Sequence, residues 1–275
     1  MTAPRRVLSL GAGVQSTTVF LMALAGEIAP FEIAVFADTG AEPAEVYRHL
    51  DRLREEGDRR GCPIVTVTAS GEAAGQLLTE RMLDPARRDG LQIPVFIRGA
   101  AGNRDGMLVR QCTERFKSRP VYKFLNAWRE GDRVTQALGI SWDEVGRMRG
   151  PQRKWVENEY PLVDDRRDRA WCHRRLEAFG WSAPRSACVY CPFHSDREWR
   201  RLRDDHPDDW NEAVRVDREM RDVHAARQAA GGTSLTGTPY VHRSLVPLDE
   251  VDLRTEEDKG QGTLFGNECE GFCGV

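Results

Sequence analysis

Short apolar runs alternate with amphipathic stretches through the first part of the chain. Val7, Leu8 and Leu10 close one buried run, and Phe31 to Phe36 and Ile64 to Val67 form two more. Between them, Gln15 to Ala25 carries Val19, Phe20, Leu21, Met22 and Leu24, while Val46, Leu50 and Leu53 recur at the spacing of one helix face. Strand, helix, strand, helix, strand is the start of an open parallel sheet with crossover helices. A helical stretch follows from Glu72 to Met82. The Arg-, Gly- and Pro-rich text from Asp84 to Asp105 has no clean period and predicts a loop near a site. Val121, Tyr122, Phe124, Leu125 and Trp128 then mark a helix, and Val134 to Ile140 a further strand. After Pro161 the pattern is helical over 166–179, 196–205 and 207–227, with Trp171, Leu176, Trp199, Leu202, Trp210, Val214 and Val223 as buried contacts. Gly231-Gly232 opens a loop-rich tail in which Tyr240 to Leu248 lies across the body. The expected architecture is α/β, a doubly wound and mainly parallel sheet over 1–162, with a helical appendage and tail over 163–275.

The first strand runs into Ser9-Leu-Gly11-Ala12-Gly13-Val-Gln15-Ser16-Thr17, where small residues precede a helix. Such a junction suits an anion: the backbone is open to a phosphate, the unpaired amides of the helix start point at it, and Ser16 and Thr17 add hydroxyls. A Walker A loop would need Lys where Gln15 stands, and the dinucleotide fingerprint a third Gly at Ser16 or Thr17, so both fit badly. After the second strand comes Asp38-Thr39-Gly40-Ala-Glu-Pro43, which would also cap the following helix. In a parallel sheet both loops emerge at the carboxyl ends of neighbouring strands, where ligands bind.

Gly11 to Ser16 resembles the Ser-Gly-Gly-x-Asp-Ser loop of the PP-loop ATP pyrophosphatases, with Gly11 for Ser and Gln15 for Asp. Asp38-Thr39-Gly40 followed by Glu45 resembles the Asp-Thr-Gly-x-x-x-x-Glu segment of the phosphoadenylyl-sulfate (PAPS) reductases. Gly139 to Arg149 is similar to a Gly-Ile/Val-Arg-x-x-Glu-Ser-x-Arg segment of the same superfamily, with Ser141 replacing its first Arg and Arg147 and Arg149 as phosphate donors. The resemblance implies an adenine nucleotide alpha hydrolase-like fold. It implies ATP over Ser9 to Thr17, Asp38, Thr39 and Gly40 at the ribose or adenine edge, and Mg²⁺ between the phosphates.

The chain has seven cysteines. Cys62, before a strand, and Cys172, beside Trp171 on a helix, read as core thiols. Cys188-Val-Tyr-Cys191-Pro can grip one ion or cluster with a tight turn. Gln111-Cys112-Thr-Glu-Arg-Phe-Lys117-Ser-Arg-Pro120 resembles the Cys-Cys-x-x-x-Lys-x-x-Pro stretch of the adenylyl-sulfate (APS) reductases, with Gln111 in place of one cysteine. That resemblance implies an iron–sulfur cluster of the 4Fe-4S type on Cys112, Cys188 and Cys191, with Cys273 assigned as fourth ligand. Glu268-Cys269 matches the first two residues of the reductases' Glu-Cys-Gly-x-His, and Cys269 is assigned the sulfur-handling role.

Forty Lys and Arg against 43 Asp and Glu give a net charge of −3, which does not itself point to a nucleic-acid binder, although Arg81 to Arg110 and Arg197 to Arg203 are locally basic. No segment is apolar for long enough to span a membrane and no secretory signal opens the chain, so a cytoplasmic protein is expected. The resemblance implies an ATP-dependent sulfurtransferase that adenylates an acceptor, a small molecule or a nucleobase such as one in tRNA, with a sulfur-donor protein and a second copy of the chain as further partners. The alternatives are a sulfonucleotide reductase that releases sulfite from APS or PAPS, and a nucleotide-binding protein with a structural metal site and no turnover.

Overall fold

The computed structural model describes residues 4–69, 77–87, 90–100, 104–232 and 235–254. In chain order the elements are β1 (Arg5–Ser9), α1 (Val14–Leu24), β2 (Ile33–Asp38), α2 (Ala44–Arg60), β3 (Ile64–Thr68), α3 (Leu78–Leu83), β4 (Phe96–Arg98), β5 (Gly106–Met107), α4 (Arg119–Trp128), β6 (Val134–Leu138), β7 (Val156–Glu159), α5 (Pro161–Asp164), α6 (Arg169–Ala178), α7 (Asp196–Asp205), α8 (Pro207–Ala229) and β8 (Thr238–Tyr240). Contacts divide them into two compact units, one holding residues 4–69 and 114–186, the other 77–113 and 187–254.

The first unit is an α/β layer structure. Its five strands pair in the order β3-β2-β1-β6-β7, all parallel. Alternation along β1 sets its two faces. Leu8 packs with Phe20 of α1, Leu50 and Leu53 of α2 and Leu176 of α6. Val7 faces the other way, onto Val121 and Leu125 of α4. Each such side chain, taken fully out of water, contributes about 1.5–3 kcal/mol. Helices therefore cover both faces, as the alternating pattern predicts. The chain leaves β1 towards β2 on one side, and β6 lies on the other, so the strand order reverses beside β1. In open α/β sheets, ligands bind in the crevice outside the carboxyl ends of the strands at such a reversal.

Two features of this unit are absent from the sequence pattern. β7 reads Val-Glu-Asn-Glu, with only Val156 fully buried; it is an edge strand, where polar residues are expected, and Glu159 pairs with Arg6 of β1. The contacts also do not divide the chain at residue 162. Leu162 of α5 and Cys172 and Leu176 of α6 belong to the same core as α1, so both helices stay with the sheet.

The second unit joins residues from the middle of the chain to its later helices. The loop expected over Asp84 to Asp105 contains β4, which pairs antiparallel with β5 and β8. Strands of two and three residues are too short to show a period. Asp217, buried on α8, accepts from the backbone N–H of Val241 at 3.0 Å and of Leu248 at 3.1 Å and pairs with Arg221. That carboxylate ties the 240–248 segment to α8. Among the described residues, no helix is long and apolar enough to cross a membrane.

Candidate functional site

The loop after β1 is shaped for close approach to its backbone. Ala12 is buried and left-handed at φ +56°, a conformation costly for a residue with a side chain. Gly13 is the N-cap of α1 and makes no side-chain cap, and the first intrahelical bond runs from Thr17 N–H to the Gly13 carbonyl at 2.9 Å. The amides ahead of Thr17 are thus the orphan donors of a helix start, which carries partial positive charge. Ser16 Oγ lies 3.2 Å from Gly11 N and 3.3 Å from the Gly13 carbonyl, and so holds the loop's shape. Ser9 is the last residue of β1, in register with Val35 on one side and Leu138 on the other. The Thr17 hydroxyl turns inward. It is fully buried, 3.0 Å from His49 Nε2, so Thr17 serves the loop through its backbone.

The loop after β6 closes on the same helix start. A Cβ on Gly139 would sit 2.7 Å from both N and Cα of Ser16, so the two backbones can approach this closely only at glycine. Gln15 links the pieces: its Nε2 donates to Glu144 Oε2 at 3.1 Å and to Ser141 Oγ at 3.4 Å, and its Oε1 accepts from Arg169 Nη1 at 3.4 Å. Arg147 Nη1 donates to the same Glu144 carboxylate at 2.5 Å. The neutral amide at 15 has a physical reason here, because a carboxylate in its place would face Glu144. Arg147 is therefore at the helix start. Arg149 is exposed, its guanidinium donating to the carbonyls of Gly146 and Met148 at 3.0 and 2.9 Å.

The loop after β2 is equally ordered. Asp38 Oδ1 accepts from Gly40 N–H and from Tyr47 OH, each at 2.8 Å, and Gly40 takes the left-handed φ of +71° that the turn requires. Burial, then the Asp38 carboxylate, pushes the Tyr47 phenol well above its usual range. Thr39 is fully buried. Glu42, its side chain also fully buried, accepts from Lys117 Nζ at 3.0 Å. Glu42, two residues after Asp38-Thr39-Gly40, is not singled out by the sequence motifs; its pairing joins Lys117 to the β2 loop. Burial, then Arg52, lowers His49 to about 4, so its ring is neutral at physiological pH.

The described cysteines divide between the two units. Cys62 and Cys172 are buried in the first unit's core, and burial pushes their thiols up to about 11 and about 12. Such thiols are poor nucleophiles and poor ligands. In the second unit, Cys188 to Cys191 forms a tight turn, Cys191 N–H donating to the Cys188 carbonyl at 3.0 Å while His194 Nε2 lies 2.9 Å from that oxygen. Tyr190, inside the turn, is fully buried with its OH 2.8 Å from Thr79 Oγ1. Its phenol is raised well above its normal range by burial and then by Cys188, with a smaller effect of Cys112. Cys112 and Cys188 thus share the neighbourhood of one phenol although far apart in sequence. Among the described residues, however, no three His, Cys, Asp or Glu side chains are grouped as metal ligands. Cys269 and Cys273 lie outside the described residues.

Compared with protein-family models and with curated proteins, the chain matches none.

Proposed function

We propose that the first unit binds ATP across the start of α1 and catalyses transfer of its adenylyl group to an acceptor, as the first half of a sulfur-insertion reaction. The observation that carries this reading is the uncapped start of α1 at the strand-order reversal, with Gln15 joining it to Ser141 and Glu144 of the next loop. The orphan amides of α1 hold the pyrophosphate portion, Arg147 lies beside it, and Asp38 meets the ribose from the β2 side. A fold of the adenine nucleotide alpha hydrolase type accommodates this arrangement. Position 15 offers no charged oxygen, and the Glu144 carboxylate, bonded to Gln15, would be the group to hold a Mg²⁺ ion there.

In the reaction, an acceptor oxygen attacks the α-phosphorus, the bond to the bridging oxygen breaks, and pyrophosphate leaves with the electron pair. The acceptor oxygen, now bearing AMP, is a good leaving group for a sulfur nucleophile. The chain's contribution is to fix the phosphates in line with the acceptor, which lowers the entropic part of the barrier. Cys112, Cys188 and Cys191, with Cys273, would hold an iron–sulfur cluster, and Cys269 would handle sulfur. Among the described residues these thiols are not grouped as metal ligands.

Product analysis tests the proposal. ATP should give AMP and pyrophosphate only in the presence of an acceptor. Release of sulfite from APS or PAPS with a thiol reductant and no ATP, abolished by Cys269→Ser, would overturn it in favour of reductase chemistry.

A further inference from the structure

We infer that Ser186 is a phosphate-binding residue, its hydroxyl supplying a donor that the loop after β1 does not itself offer; this deepens, and rests on, the reading of the α1 start as a nucleotide site. The loop's own hydroxyls are committed. Thr17 Oγ1 is buried 3.0 Å from His49 Nε2, and the Thr18 hydroxyl donates to the Val14 carbonyl at 2.8 Å. Ser16 Oγ accepts from Gly11 N–H at 3.2 Å and donates to the Gly13 carbonyl at 3.3 Å, so its one proton is used within the loop.

Ser186 reaches the loop on a segment that the first unit holds in place. Residues 181–186 follow α6 without helix or strand. Trp181 N–H donates to the Leu176 carbonyl at 2.9 Å, and Trp181 and Ala183 pack on the core that contains α1. The Trp181 indole also meets the His49 ring edge-on at 5.9 Å. Pro184 has a fixed φ and keeps Ala183 in extended backbone. The end of the segment lies against the loop: a Cβ built on Gly13 would be 3.3 Å from Ser186 Cβ. Glycine at 13 admits this approach.

The space beside Gly11 is where the hydroxyl acts. A Cβ built there would meet two atoms within 4 Å among the described residues, its chain neighbours aside: Ser16 Oγ at 3.7 Å and Ser186 Oγ at 4.0 Å. Gly11 is exposed, so this space opens to solvent. Among the described residues, neither the hydroxyl nor the backbone N–H of Ser186 makes a hydrogen bond. Charge around the loop is largely matched, Glu144 by Arg147, while Asp143 accepts the N–H of Arg169, whose guanidinium meets Gln15. Arg185, next to Ser186, adds a further positive charge to the segment. A phosphate, with several oxygens to satisfy at once, finds the amides of the α1 start and, beside Gly11, one hydroxyl free to donate. The hydroxyl that the resembled loop carries at position 11 is thus replaced from residue 186.

The test is calorimetry of ATP and of inorganic pyrophosphate, each with Mg²⁺, on the parent, on Ser186→Ala and on the double variant Ser186→Ala with Gly11→Ser. Because the hydroxyl is unbonded in the free protein, Ser186→Ala should melt within about 2 °C of the parent. Both ligands should bind Ser186→Ala at least about tenfold more weakly, the loss expected for a hydrogen bond to a charged group. The double variant should recover most of that affinity, since Gly11 is not left-handed and a Cβ there makes only ordinary contacts. A Ser186→Ala protein that binds ATP as tightly as the parent would overturn the assignment and leave the nucleotide site standing. So would a loss of affinity that comes with a larger fall in Tm and is not recovered in the double variant, which would make Ser186 part of the scaffold. Pyrophosphate binding that depends on Ser186 in a protein that takes no ATP would keep the phosphate role and refute the nucleotide reading; a parent that takes neither ligand would overturn both.

Discussion

Replacing Gly139 by alanine probes the contact that builds the site. The added Cβ would lie 2.7 Å from two backbone atoms of Ser16, well inside the 3.0 Å that real Cβ atoms respect, and backbone cannot swing aside as a side-chain tip can. Either the end of β6 or the first turn of α1 must move by roughly half an ångström. Overpacking of this kind costs about 1–3 kcal/mol. At about 2–4 °C per kcal/mol for domains of this size, Tm should fall by roughly 2–12 °C. The same movement shifts the amides at the start of α1 that the proposed site uses for phosphate. Losing one charge-assisted hydrogen bond, about 1.5–3 kcal/mol, lowers ATP affinity at least tenfold. Gly146→Ala is the matched control, since a Cβ there meets nothing within 4 Å and the residue is not left-handed. Thermal unfolding and ATP calorimetry on both variants decide the matter. If Gly139→Ala matched Gly146→Ala in Tm and in affinity, the close approach of the two loops would not be a working part of the site.

Acid should destabilise the fold through His49. Its folded value is about 4 against 6.5 unfolded, so the unfolded chain takes the proton first, and stability is lost as pH falls from 6.5 towards 4, by about 3 kcal/mol in all. Urea midpoints measured at pH 7 and 4.5 should differ less in His49→Gln than in the parent; an equal difference would remove His49 as the cause. His224, also lowered by burial, retains its own contribution in both proteins. Prepared without oxygen, the parent should contain iron and sulfide, and Cys112→Ala, Cys188→Ala and Cys191→Ala should each lose most of both. Undiminished iron in all three would exclude them as ligands, and stoichiometric zinc in the parent would replace the cluster by a structural site.

Residues that act through a local pattern were legible in the sequence. Leu8, Phe20, Leu50 and Leu53 announce the sheet and its helices by spacing alone, and the small residues Gly11 to Gly13 mark the turn between β1 and the uncapped start of α1. Residues that act through tertiary pairing were not. Nothing in the text around Gln15 says that it spans Ser141, Glu144 and Arg169, and nothing around Glu42 says that Lys117 will meet it some seventy-five residues on. Thr17 shows the converse: its place in the motif suggests a phosphate hydroxyl, yet the helix turns that hydroxyl into the core onto His49. The assignment of residues 77–113 to the same unit as α7 and α8 was hidden too, because its pairing strands, β4, β5 and β8, carry too few residues to show alternation.

The central claim is that ATP lies over the start of α1, and a calorimetric titration of ATP with Mg²⁺ into the parent and into Gly13→Val tests it most directly. A Cβ at Gly13 would meet the Cβ of Ser186 at 3.3 Å, with Ser186 N at 3.6 Å and the Pro184 carbonyl at 3.9 Å, so the branched side chain of valine crowds that segment and forces the loop that carries the orphan amides to shift. The account predicts saturable binding by the parent and at least a tenfold loss in Gly13→Val, with circular dichroism and oligomeric state unchanged between the two. A parent that gives no heat with ATP, or a folded Gly13→Val protein that binds ATP as tightly as the parent, would contradict it.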